Sequence, residues 1–162
     1  MHDSLPQKFQ FGEDSESIEQ RIKLLNRLRQ MLEAQREKFH HYLNILEKQE
    51  DAIISANTEA LENHMHMEHQ IIRDIQEIQK IITPIDAMYR KIYPDQKEDI
   101  KHLQESLHQL REQALIHNAH NRELLIRHRD EIKQQVDNFR HSRSRKSVYT
   151  RSVPARMIDV EC

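Results

Sequence analysis

A chain of 162 residues with one glycine, Gly12, has few ways to turn back on itself tightly. Two-residue hairpins draw on residues that tolerate positive φ, and glycine is the usual supplier, so most β architectures are excluded. The same scarcity removes every glycine-rich phosphate loop, of either the dinucleotide or the nucleoside triphosphate kind. With 36% hydrophobic and 32% charged residues, the chain lacks the apolar content of a broad globular core. That balance suits narrow apolar seams between long helices, within a single domain.

The pattern along the chain agrees. Residues 1–14 contain Pro6 and Gly12 without periodicity and read as a disordered arm. Ser17 and Gln20 have capping-box spacing, and Ile18, Ile22, Leu25, Leu28, Leu32, Phe39, Leu43, Leu46 and Ile53 then recur every three, four or seven residues. One long helix is expected to about Ile54. Ser55-Ala56-Asn57-Thr58 is a polar turn in which Asn57 or Thr58 can cap the next helix. A second stripe, Leu61, Met65, Ile72, Ile75 and Ile78, leads to Thr83-Pro84, read as a break before a short segment ending at Tyr93. The last helix is expected from about Asp95–Asp99 to Phe139–His141, along Leu103, Leu107, Leu110, Ala114, Leu124, Ile132, Val136 and Phe139.

The expected fold is all-α: an elongated antiparallel bundle of three or four helices over residues 15–140, packed in coiled-coil fashion, with flexible tails at both ends. The tail 141–162 is basic. Counted from Arg140, it carries six basic residues against Asp159 and Glu161, a balance of +4, while residues 1–139 hold 19 basic and 25 acidic residues, −6. A solvated or partner-binding tail is preferred over a nucleic-acid contact, since Tyr149 is its one aromatic and the body is acidic.

The lone cysteine, Cys162, cannot form a disulfide within the chain, and no secretory signal or bilayer-spanning apolar run is visible, so a cytoplasmic location is expected. Twelve histidines raise a metal site. His64, His66, Glu68 and His69 form one cluster, His117 and His120 another, and Glu37-x-x-His40 and Glu105-x-x-His108 match the ligand spacing of di-iron bundles. On the helical wheel, however, Glu37 lies roughly 140° from its apolar stripe, and Glu105 with His108 roughly 130–170° from theirs. They face water, so neither a metal nor another cofactor is expected. No activated nucleophile is visible, and the chain does not read as an enzyme. Three polar residues fall on the last helix's core stripe: Asn118, Asn121 and His128. The asparagines suit a buried layer that fixes helix register; a wet seam is the competing reading. Leu115, Ile116 and Ile126 lie off that stripe, either packing on another helix of the chain or forming an exposed groove for a partner's amphipathic helix.

Three features resemble the FlgN family of flagellar type III export chaperones over about residues 18–150. The first is Leu46-Glu-Lys-Gln-Glu50-Asp-Ala-Ile-Ile-Ser-Ala-Asn-Thr-Glu-Ala-Leu61, an acidic-leucine helix, short turn and second helix. The second is Asn118-Ala-His-Asn121-Arg-Glu-Leu-Leu125, similar to an Asn-x-x-Asn-x-x-Leu signature, and the third is a tyrosine after the last helix, Tyr149. The resemblance implies a cytoplasmic chaperone that holds hook-associated proteins, prevents their premature assembly and delivers them to the export gate. It implies a client surface around Leu124, Leu125, Ile132, Val136 and Phe139, with Tyr149 meeting the gate component. No nucleic acid and no membrane insertion is implied, and a homodimer through the long helices stays open. The alternatives are a structural coiled-coil scaffold without a client and, behind it, a His/Glu metal-binding bundle.

Overall fold

The computed structural model describes residues 10–95 and 97–147. Three helices account for them: α1 (Gln10–Ile54), α2 (Thr58–Ile92) and α3 (Glu98–Ser147). Among the described residues there is no strand. Helix thus covers residues 10–14 and 141–147, which the sequence assigns to the terminal arms.

The α1–α2 connection is a helix end of Schellman type. Ala56 takes the left-handed conformation at φ 53°. The Asn57 N–H donates to the Ala52 carbonyl (2.9 Å) and the Ala56 N–H to that of Ile53 (3.1 Å), which satisfies carbonyls the helix leaves free. Asn57 then caps α2, its Oδ1 accepting from the Ala60 N–H at 3.0 Å. Glycine scarcity is met here by an alanine in a conformation that disfavours a Cβ, held by hydrogen bonds on both sides.

Helix α2 does not break at Pro84. The proline sits inside it, removing one donor from the ladder. Pro84 and Lys80, whose carbonyl loses that donor, are both exposed to water, and Thr83 Oγ donates to the Gln79 carbonyl at 2.9 Å. Buried Ile82 and Tyr89 on either side hold the helix against the core, so packing overrides the local signal. Among the described residues the bundle therefore has three helices. The true reversal follows Tyr93, where the Tyr89 hydroxyl accepts from the Lys97 N–H at 2.6 Å and Lys97 Nζ lies over the Tyr93 ring.

Cross-helix bonds set the directions. Gln49 and Tyr42 reach Glu68, Lys38 reaches Asp74, and Gln35 reaches Gln79, so α2 runs antiparallel to α1. Arg29 reaches Asp99, Tyr42 meets Asn118, and Leu46 meets Asn121, so α3 runs parallel to α1. The Asp99 and Asp74 carboxyls are held below the ordinary range, chiefly by hydrogen bonds from Arg29 and Lys38 respectively.

One core unites the three helices. It holds Leu28, Leu32, Phe39, Tyr42 and Leu46 of α1, Ile82 and Tyr89 of α2, and Ile100, Leu103, Leu107, Leu110 and Ala114 of α3. The buried column of α1 begins at Leu28. Ile18 and Ile22 continue its apolar period but are half or more exposed. The chain divides into two compact units between Arg122 and Glu123, inside α3 rather than at a helix end.

Candidate functional site

Two features stand apart from ordinary apolar packing, one in each unit. In the first, side chains from all three helices meet at the half-buried carboxylate of Glu68. Tyr42 donates its hydroxyl proton to Glu68 Oε1 at 3.1 Å, and Gln49 Nε2 donates to Oε2 at 2.7 Å. Asn118 Nδ2 donates to the Tyr42 hydroxyl at 2.9 Å and approaches Glu68 Oε1 at 3.5 Å. One turn further along α3, the buried Asn121 donates from Nδ2 to the Leu46 carbonyl at 2.8 Å. Both asparagines singled out in the sequence thus make inter-helix bonds. Near them, the buried Asn121 Oδ1, His117 Nδ1 and His64 Nδ1 have no hydrogen-bond partner.

Tyr42 carries a pH prediction. Burial pushes its hydroxyl above the usual tyrosine range, and the Glu68 carboxylate adds to the rise against the Asn118 bond. A group that keeps its proton longer when folded contributes fully below its unfolded pKa, and that contribution falls as pH climbs above about 10. Denaturation across that range is expected to show the loss in the natural chain and a shallower one in Tyr42→Phe; equal slopes would contradict the assignment.

The second feature is the α3 segment from Glu123 onward. Leu124 is half-buried, whereas Leu125, Ile132, Val136 and Phe139 are exposed by 40%, 59%, 42% and 71%. At roughly 100° per residue, the last four fall within about 60° of one another, at successive spacings of seven, four and three residues. A large aromatic and three aliphatics in line on an exposed helix face are more than scattered surface apolarity. Tyr149 lies outside the described residues.

The remaining candidates stay apart. Leu115, Ile116 and Ile126 are exposed, at 61%, 67% and 44%, and among the described residues they do not pack on another helix. Glu37, His40, Glu105 and His108 are exposed, and His128 is half-buried with Nδ1 3.9 Å from Glu131. Among the described residues, no group of three or more His, Cys, Asp or Glu is placed to hold a metal ion, and none of the helices is long and apolar enough to cross a membrane.

Sequence reasoning missed Tyr42, Gln49 and Gln35. The signal was present: Leu28, Leu32, Gln35, Phe39, Tyr42, Leu46, Gln49 and Ile53 follow strict alternating spacings of four and three, and all eight are buried. The polar members are simply invisible to a search for apolar residues.

Residues 24–153 match the family described as FlgN protein. An uncharacterised protein of Treponema pallidum (strain Nichols) is 31% identical over 128 residues, which cover 79% of this chain and 82% of that protein. No solved structure matches.

Proposed function

The chain belongs to the FlgN family, chaperones of flagellar type III export rather than enzymes, and on that premise we propose that it carries hook-associated proteins in the cytoplasm through the exposed face of α3. The observation that carries this reading is the line of Leu125, Ile132, Val136 and Phe139, open to solvent on a helix whose own core has ended. Junction proteins with amphipathic helices not yet packed against neighbours would find there the apolar surface they lack. Leu124 borders the line. Tyr149, in the segment that follows, would contact the export gate.

Co-purification with hook-associated proteins tests the client. Capture by the natural chain and by Tyr149→Ala alike, with secretion reduced only for the variant, is the expected result. No capture of any hook-associated protein would overturn the client assignment. Unimpaired secretion in Tyr149→Ala would overturn the gate contact.

Asn118 and Asn121 serve, in this reading, to fix the register of α3 against α1. A buried polar layer that costs stability is retained where it excludes other pairings. Asn118→Leu with Asn121→Leu is therefore expected to keep or raise the melting temperature while producing mixed oligomers on size exclusion. A single species with unchanged thermal behaviour would remove the register role.

A further inference from the structure

The charges on the distal part of α3 are sorted by face. Around the centre of the line formed by Leu125, Ile132, Val136 and Phe139, the cations Arg129, Lys133, Arg140 and Arg143 all fall within roughly 90°. The four acidic residues of residues 123–143, Glu123, Asp130, Glu131 and Asp137, lie roughly 110–170° away, on the back of the helix. Arg127, also on the back, pairs with Glu123 at 2.5 Å. Arg129 reaches round to Asp130 at 2.9 Å. Among the described residues, Lys133, Arg140 and Arg143 make no ion pair. The apolar line therefore runs through a cationic field with no anion on its own side.

We infer that this face takes an acidic amphipathic helix: one with an apolar residue at each turn and Glu or Asp along the edges of that seam. The inference rests on the chaperone reading and adds the chemistry by which the client is recognised. Two physical points select a helix. The apolar line is narrow, its side chains spaced seven, four and three residues apart, which is the geometry of a helix-to-helix seam. A helix lying in a bilayer interface presents a broader apolar face, commonly with tryptophan, and this chain has none. Unpaired lysine and arginine beside the seam raise the encounter rate with an acidic helix and set its register, and they disfavour basic competitors.

The test uses the full chain and two synthetic helical peptides with the same leucine seam, one edged with glutamate and the other with lysine. Fluorescence anisotropy is expected to give roughly tenfold or greater preference for the glutamate peptide at about 0.05 M salt, narrowing toward about 1 M as the charges are screened. The triple variant Lys133→Glu, Arg140→Glu and Arg143→Glu is expected to reverse that preference, with its circular dichroism melt close to that of the natural chain. Equal binding of the two peptides overturns the inference. So does tighter capture by vesicles of phosphatidylcholine and phosphatidylglycerol than by the glutamate peptide, which would make the face a membrane contact. A hook-associated protein that binds the natural chain and the triple variant equally sinks the charge reading and leaves the chaperone reading standing. Charge-selective peptide binding without capture of any hook-associated protein supports the charge reading and removes the client assignment.

Discussion

Replacing Leu107 by alanine is expected to lower the unfolding free energy by about 2–4 kcal/mol. Leu107 is 4% exposed in the core that joins α3 to α1 and α2. A three-helix core has few layers, and the long stems around this one cannot close over the lost methyl groups without shifting whole turns. The cost therefore includes a cavity as well as the lost transfer energy. For a chain of this size, that corresponds to a fall in melting temperature of roughly 5–15 °C. Leu32→Ala, at the matching depth of α1, is expected to behave alike. A melt unchanged in both variants would mean that the seam assigned to these residues is not what holds the helices together. As a control, Ile22→Ala should move the melt very little, since Ile22 sits on the same apolar period but is 50% exposed.

That contrast shows what periodicity can and cannot reveal. The first and last long helices, the turn at Ser55–Asn57 and the α3 column Leu103, Leu107, Leu110 and Ala114 were legible because each follows from local spacing and capping. Ile18 and Ile22 carry the same spacing yet stay exposed, because burial depends on a neighbour being there. Pro84 misled for the opposite reason. Its local signal is a stop, but buried Ile82 and Tyr89 hold the backbone helical on either side, with the freed carbonyl turned to water. The Glu68 layer was half legible: Asn118 and Asn121 stood out on an apolar stripe, whereas nothing in the local pattern singled out Tyr42 and Gln49 of α1. Only the antiparallel docking of α2 brings Glu68 between them. The exposed line on distal α3 was legible as a stripe, but its exposure was not, since an uncovered seam and a covered one have the same sequence.

Ile132→Asp is expected to separate stability from client binding. The side chain is 59% exposed in the free protein, so the substitution should change the unfolding free energy by no more than about 0.5 kcal/mol. In a complex, the same position lies mid-line between Leu125 and Phe139 and would be covered by the partner helix. An aspartate there would lose the apolar contact and carry an unpaired charge into a desolvated seam, a loss of about 2–4 kcal/mol, or roughly 30- to 1,000-fold in affinity. The negative charge would also sit among Arg129, Lys133 and Arg140, so part of the loss is offset by local attraction; Ile132→Ser, which lacks that compensation, brackets the effect. Titration calorimetry with a hook-associated protein, beside a thermal melt of each variant, reads both quantities. Weakened binding with an unmoved melt is the signature of a surface kept open for a partner. A lowered melt would mean that the line already packs within its own chain, and unchanged affinity would place the client elsewhere on the molecule.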